Sequence, residues 1–104
     1  MKIAKQPCGA VAGVLRLRPD EQLRRQIMPK LHDIKIHEEF FAPVFDGQKT
    51  FEVRRNDRNY MPGDIVILRE WSLEHGFTGR AVCKEIGYVT AFEQRPGWCV
   101  FSLL

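Results

Sequence analysis

The sequence predicts an α+β fold: a small mixed β-barrel of about five strands, with a short helix between the first two strands and an added N-terminal helix. Three observations predict it. The chain has 104 residues, enough for one hydrophobic core but not two. Short segments that alternate apolar and polar residues recur after residue 31, and few segments have helical spacing. Turn residues separate these segments at short intervals, as in small closed or half-closed barrels.

Charge is distributed unevenly along the chain. Sixteen Lys and Arg against 13 Asp and Glu give a net charge of +3, which permits a nucleic-acid partner without requiring one. Residues 1–31 carry seven basic and two acidic side chains, whereas residues 32–104 carry nine and eleven. We therefore divide the chain into a basic N-terminal extension, 1–31, and a domain, 32–104. With 44% hydrophobic and 28% charged residues in the whole chain, a disordered or fibrous protein is not expected.

The sequence indicates a cytoplasmic protein without a membrane anchor. No apolar run approaches the ~20 residues of a membrane-spanning helix. The apolar stretch 8–15 lies mostly after the small residues Ala10-Val11-Ala12 rather than before them, which disfavours a secretory signal. Three widely spaced cysteines, an odd number, are typical of reduced thiols in the cytoplasm.

The N-terminal extension is predicted to contain the added helix. Pro19-Asp20-Glu21 is a typical helix start, and Pro29 ends or kinks the helix at Met28. Leu23, Ile27 and Leu31 form one helical stripe. We expect this stripe to pack on the barrel, and the alternative is that it binds a partner protein.

The first half of the domain is predicted as strand, helix and strand. Residues 32–36 and 49–55 alternate with a period of two. Between them, residues 37–47 hold a short helix that ends at Gly47, and Pro43 is tolerated inside it only if the helix begins late. We expect one apolar face of this helix to carry Phe40, Phe41, Val44 and Phe45.

Three further strands are predicted in the second half. Met61-Pro62-Gly63-Asp64 has the residues of a type II turn, and the strand 65–71 that follows is apolar on both faces at its start, as central strands are. After a loop at 74–79, strands are predicted at 80–89 and 98–104.

No metal or cofactor is expected. The three histidines, His32, His37 and His75, lack the spacing of a metal site and are predicted to be exposed or to cap helices. The sequence also lacks a glycine-rich phosphate loop and a nucleophilic serine motif.

The densest cluster of polar residues runs from Gly47 to Tyr60. On an ideal strand Thr50, Glu52 and Arg54 share one face, while Phe51 and Val53 face the core. The simplest interpretation of Glu52 and Arg54 is a structural ion pair. Lys49 joins their face only if it belongs to the preceding turn or if a bulge intervenes.

These residues resemble a known family. Gly47-x-Lys49-x-x-Glu52-x-Arg54, followed by Pro62-Gly63-Asp64 and an aliphatic strand, is similar to the ASCH domain of the PUA-like superfamily. The segments 32–36, 49–58 and 63–71 more narrowly resemble the DUF3850 group of small, uncharacterised proteins, many of them from phages. The resemblance covers residues 31–104 and excludes the N-terminal extension.

The resemblance implies a β-barrel whose cleft lies beside the Lys, Glu and Arg of the motif. RNA binding is the activity usually proposed for the superfamily. Some ASCH proteins instead hydrolyse N4-acetylcytidine, using the Lys to activate a Thr three residues later. Here that position is Glu52, and Thr50 lies two residues too early, so the chain departs from the hydrolase pattern.

Three functions follow, in this order of preference. The first is a module that binds RNA, a nucleotide or a nucleoside. In this module Lys49, Arg54, Arg55 and Arg58 contact phosphate, Glu52 reads an exocyclic amine, and Tyr60 or Trp71 stacks on a base. The second is a hydrolase acting on a modified nucleobase, with Lys49 and Glu52 as its acid–base pair. The third is a protein-interaction factor that uses the N-terminal helix. No oligomeric state is predicted.

Overall fold

The protein is described by a computed structural model that covers residues 18–20, 23 and 28–104. Most of the predicted N-terminal helix, including Ile27 of its stripe, lies outside the described residues. Leu31 is described and is the first residue of β1, so the prediction that the helical stripe extends to Leu31 is wrong. Leu23 and Leu31 are 57% and 63% exposed. The elements of the domain are β1 (Leu31–His37), α1 (Glu38–Phe45), β2 (Phe51–Arg55), β3 (Ile65–Ser72), β4 (Gly76–Thr90) and β5 (Trp98–Leu103). Within the described part of the chain, no helix is long and apolar enough to cross a membrane.

The five strands form one open mixed sheet, and the prediction of a barrel is wrong. The strand order is β1-β3-β4-β5-β2, so β1 and β2 are the two edges of the sheet. β3 pairs parallel to β1 and antiparallel to β4, which confirms its central position. Closure would require β1 and β2 to pair through their backbones. Instead, the side chain of Arg54 lies between them and donates from Nη2 to the carbonyl of Lys35 at 2.7 Å.

A bend in β4 brings the two edges of the sheet towards each other. The first part of this long strand pairs with β3, and its last part pairs with β5. Between them the register shifts between Ile86 and Val89, both of which are buried although they are three residues apart. Such a bulge bends its strand and increases the local twist. The sheet is therefore curved enough for β1 to face β2 across a gap.

The hydrophobic core lies on the inner face of this sheet and is covered by α1. The helix contributes Phe41 and Val44, both fully buried. Phe40 and Phe45 are 46% and 55% exposed, so the predicted four-residue apolar face is wrong for these two. The rest of the core comes from alternate positions of the strands and includes Ile34, Ile36, Val66, Leu68, Ile86, Phe101 and Leu103.

The ends of α1 have clear local causes. The His37 side chain caps the first turn, where its Nδ1 accepts a hydrogen bond from the Glu39 amide at 3.1 Å. Gly47 follows the helix in the left-handed region, with φ of 82°, as glycines after helix ends do. Pro43 is inside the helix, and its carbonyl accepts from the amides of Gln48 and Lys49 at 2.9 and 3.0 Å. These bonds fix the segment that leads into β2.

The turns before and after β3 differ in how well they match the prediction. The Asp64 amide donates to the Met61 carbonyl at 3.0 Å, and Gly63 has φ of 92°, as the predicted type II turn requires. The predicted loop at 74–79 is too long, because the turn spans residues 73–75, β4 begins at Gly76 and Trp71 pairs with Phe77. Gly76 and Gly79 lie within β4, and their positive φ angles accommodate the hairpin that joins it to β3.

The two cysteines of the described domain are expected to differ sharply in reactivity. Cys83 is exposed, whereas burial raises the pKa of the Cys99 thiol to about 11. The thiolate is the reactive species, and at pH 8 roughly one part in a thousand of such a thiol is ionised. We expect iodoacetamide at pH 8 to label Cys83 and to spare Cys99 until denaturant is added, as measured by peptide mass spectrometry. Equal labelling rates in the folded protein would contradict the burial of Cys99.

Candidate functional site

A cleft of about 490 Å³ occupies the gap between the two edge strands. Four consecutive residues of β1, 34–37, form one wall, and four consecutive residues of β2, 52–55, form the other. Asp57, Arg58 and Tyr60 from the loop after β2 contribute to the lining, together with Trp98 at the start of β5. The cleft therefore exists because the sheet is curved but not closed.

Glu52 is the buried acidic residue at this cleft. It is 4% exposed, while its neighbours Phe51 and Val53 are 46% and 45% exposed. The prediction that Phe51 and Val53 face the core is therefore wrong, although Glu52 and Arg54 do share a face. Glu52 pairs with Phe101, which is buried on the inner face. The strand thus turns its acidic residue inwards and its apolar residues outwards.

Two cations balance the buried carboxylate. Lys49 Nζ lies 2.5 Å from Glu52 Oε2, and Arg54 Nε donates to Glu52 Oε1 at 3.1 Å. The Lys49 and Arg54 side chains are 17% and 23% exposed, so the group is mostly shielded from water. Buried carboxylates need such partners because the loss of hydration is otherwise costly. The expected ion pair is therefore present, with Lys49 as a third member.

Lys49 reaches Glu52 from the turn before β2, which is one of the two routes that the sequence left open. Its amide is fixed by the Pro43 carbonyl, and β2 begins only at Phe51. Its Nζ also donates to the Phe51 carbonyl at 2.8 Å and lies 4.8 Å from the Phe51 ring centroid. Lys49 is not among the residues that line the cleft. Lys49 therefore holds Glu52 in place from outside the cleft.

The arginines of the cluster occupy different positions around the cleft. Arg54 is fixed by its bonds to Glu52 and to the Lys35 carbonyl. Arg55 and Arg58 are exposed and both line the cleft. Arg55 also lies over the indole of Trp98, with 5.3 Å between its guanidinium carbon and the ring centroid. The structure thus brings Arg54, Arg55 and Arg58 together at one opening.

The two predicted stacking residues lie in different places. Tyr60 is 1% exposed, and its ring centroid lies 4.8 Å from those of both His32 and Phe101, so it forms part of the cleft floor. Burial raises the pKa of the Tyr60 phenol, against an opposing influence of Arg54 and Arg58. Trp71 lies outside the cleft, where Lys35 Nζ is 4.2 Å from its ring centroid.

Trp98 is the aromatic residue at the cleft that the sequence analysis did not single out. It was assigned only as the first residue of the last predicted strand, 98–104. The antiparallel register places it opposite Arg55. A tryptophan at the first position of a strand, after a turn, was a usable signal for a half-buried ring near the surface. Its partner strand could not be deduced from local sequence.

A second polar network lies beneath the cleft. Asp64 is fully buried and accepts hydrogen bonds from the amides of Lys30 and Met61, and its Oδ2 lies 2.9 Å from His32 Nε2. His32 is 4% exposed, so the prediction of an exposed or capping residue holds for His37 but is wrong for His32. Among the described residues no group of three or more His, Cys, Asp or Glu side chains is placed to hold a metal ion.

The chain belongs to the DUF3850 family, a domain of unknown function, whose model matches residues 31–103. It is similar to the "Uncharacterized 12.9 kDa protein in GpA 3'region" of Escherichia phage P2. The two are 45% identical over 64 residues, which cover 62% of this chain and 58% of the phage protein. The chain thus spans less than two thirds of that relative.

Proposed function

We propose that the chain is a cytoplasmic module that binds single-stranded RNA or a nucleotide in the cleft between β1 and β2, as a relative of the ASCH domains of the PUA-like superfamily. The observation that carries this proposal is the convergence of three arginines and one tryptophan on a single opening. Arginine contacts to phosphate and stacking of bases on aromatic rings are the usual means of holding single-stranded nucleic acid.

The local charge of the cleft supports an anionic ligand. Its lining contains four basic residues, Lys35, Arg54, Arg55 and Arg58, and two acidic ones. The domain as a whole carries nine basic and eleven acidic side chains, so positive charge is concentrated at this opening. A cleft with a net positive charge on a net negative background attracts and orients an anionic ligand.

Specificity for a base would come from Trp98 and Glu52. Trp98 offers a stacking plane at the rim, the role that the sequence analysis had assigned to Tyr60 or Trp71. Glu52 faces the cleft, and each carboxylate oxygen can accept more than the one side-chain bond it already has. An exocyclic amine of a base would be a suitable third donor. A cytosine or adenine ring thus fits better than uracil, which has no such amine.

The hydrolase alternative is less favoured by this geometry. A general base must present an electron pair to the substrate within hydrogen-bond reach. The Lys49 ammonium instead donates to Glu52 and to the Phe51 carbonyl, and it lies outside the residues that line the cleft. The interaction alternative depends on the N-terminal helix and stays a prediction.

The proposed function is tested by the salt dependence of oligonucleotide binding. Each phosphate of a single strand that a cation neutralises contributes about −0.7 to the slope of log K against log salt. With Arg54, Arg55 and Arg58 engaged, we expect a slope of about −2 for a short single-stranded RNA. Replacing Arg58 by Ala should make the slope shallower by about 0.7. Fluorescence anisotropy at a series of salt concentrations measures both values.

Lys84 provides a matched control for this experiment. It lies on β4 outside the cleft, so Lys84→Ala removes the same unit charge from the domain without touching the lining. We expect its slope to equal that of the wild-type protein. Absence of binding at low salt, or equal slopes for all three proteins, would contradict the proposed function.

A further inference from the structure

A second cavity adjoins the cleft on the outer face of the sheet. Its volume is about 330 Å³, and its lining consists of Val53, Glu93, Gln94, Arg95 and Trp98. Val53 and Trp98 also line the cleft, so these two residues form a shared ridge between the cavities. Both volumes fall in the range of about 300–1,000 Å³ that is typical of small-molecule sites.

The ridge is apolar and accessible. Val53 is 45% exposed because β2 turns its apolar residues outwards, and Trp98 lies beside it on the neighbouring strand. Arg55 stands over the Trp98 ring at the same point. An aromatic ring with a guanidinium beside it suits a nucleic-acid strand, because bases stack on the ring while the cation meets the phosphate.

The loop that forms the far wall of the second cavity is held in a defined conformation. Glu93 has φ of 58°, an uncommon angle for a residue other than glycine. The loop is fixed by bonds from the Gln94 amide to the Ala91 carbonyl and from the Trp98 amide to the Arg95 carbonyl, at 3.1 and 2.9 Å. Unfavourable backbone angles that the surroundings enforce are concentrated at ligand sites.

We propose that the cleft and the second cavity form one continuous site that takes two adjacent nucleotides of a single RNA strand, which crosses the ridge of Val53 and Trp98. One base occupies the arginine-lined cleft and the next occupies the second cavity. The phosphate between them lies at the ridge near Arg55, and Arg95 supplies positive charge on the far side. This inference rests on the proposed function and extends it from a nucleotide to a strand of at least two nucleotides.

The test compares three cytidine ligands by isothermal titration calorimetry: the 5′-monophosphate, the 3′,5′-bisphosphate and the 5′-phosphorylated dinucleotide. The bisphosphate carries the second phosphate without a second base, so it separates charge from occupation of the second cavity. Stacking of one base contributes about 1–3 kcal/mol, equivalent to roughly 5- to 150-fold in affinity. We therefore expect the dinucleotide to bind at least about fivefold more tightly than the bisphosphate.

Two variants locate the second base. Arg95→Ala changes a residue that lines only the second cavity, and Lys84→Ala removes the same charge elsewhere. We expect Arg95→Ala to weaken dinucleotide binding severalfold and to leave monophosphate binding unchanged, while Lys84→Ala changes neither.

Each other outcome has a defined meaning. Equal affinities for dinucleotide and bisphosphate would overturn the two-nucleotide site and leave the proposed function standing. Equal effects of Arg95→Ala and Lys84→Ala would overturn it as well, because the second cavity would then make no contact of its own. If none of the three ligands binds, this inference fails, and the proposed function fails with it only if the short single-stranded RNA of the salt series also does not bind.

Discussion

Replacing Asp64 by Ala is expected to lower the free energy of unfolding by about 3–5 kcal/mol. The carboxylate is fully buried and serves the Lys30 amide at 3.0 Å, the Met61 amide at 3.1 Å and the His32 ring at 2.9 Å. Each buried polar group that loses its partner costs about 1–3 kcal/mol. The variant also leaves a small cavity, because the surroundings of a buried side chain relax only in part.

Urea denaturation of wild type and variants measures this effect. Asp64→Asn should lose less stability than Asp64→Ala, because the oxygen of the asparagine side chain can still accept some of the hydrogen bonds that the carboxylate accepts. Asp46→Ala is the matched control, since Asp46 is exposed at the end of α1 and its removal should change stability by about 0.5 kcal/mol or less. A loss for Asp64→Ala as small as that of the control would show that the network does not hold β1 to the turn before β3.

The same network connects stability to the cleft. His32, which Asp64 holds, packs against Tyr60, and Tyr60 forms part of the cleft floor. A domain of this size has a single core. Asp64 and His32 therefore stabilise the fold and also support the floor of the cleft. For this reason, ligand binding by Asp64 variants should be measured only under conditions where they are fully folded.

The elements of the fold could be predicted from sequence because their signals are local. Alternation of apolar residues located β1, β3 and β5 to within one residue at each end. Pro62 and Gly63 identified the turn before β3, since a type II turn needs a residue that tolerates positive φ. Gly47 marked the end of α1 for the same reason.

The closure of the sheet could not be predicted because it depends on contacts between distant residues. Strand number and spacing are compatible with a barrel or with an open curved sheet. The outcome is decided where β1 and β2 approach each other, and there Arg54 donates to the Lys35 carbonyl in place of a backbone pair. Arg54 and Lys35 are 19 residues apart in sequence, so their contact leaves no periodic pattern from which it could be predicted.

The orientation of β2 was mispredicted for a related reason. Alternation gives the period of a strand but not the face that turns inwards, and Phe51 and Val53 were assigned to the core because they are apolar. The structure buries Glu52 instead. Its charge is compensated by Lys49, which lies in the preceding turn, and by Arg54, which lies on the same strand. The three charged residues Lys49, Glu52 and Arg54 were therefore predictable as a group, whereas the burial of Glu52 and the position of Trp98 at the cleft were not.

Replacing Glu52 by Ala is expected to have a large effect on both stability and ligand choice. Removing one partner of a buried ion pair typically costs about 3–5 kcal/mol, and the partial exposure of Lys49 and Arg54 reduces this to about 2–4 kcal/mol. Urea denaturation measures the loss. Glu85→Ala, on the exposed side of β4, is the control and should change stability by about 0.5 kcal/mol or less.

The effect on binding follows from the two roles that Glu52 has under the proposed function. Its negative charge opposes phosphate, so Glu52→Ala should bind the phosphate of any nucleotide more tightly at low salt. Its oxygens accept from an exocyclic amine, so the wild-type preference for cytidine over uridine monophosphate, expected to be about tenfold, should disappear in the variant. Calorimetry with both nucleotides, under conditions where circular dichroism shows the variant folded, measures the ratio. A cytidine preference that survives in Glu52→Ala would remove the carboxylate as the reader of the base. Unchanged stability would show that the pairing of Glu52 with Lys49 and Arg54 does not stabilise the fold. The orientation of β2 with Glu52 inwards would then need another cause.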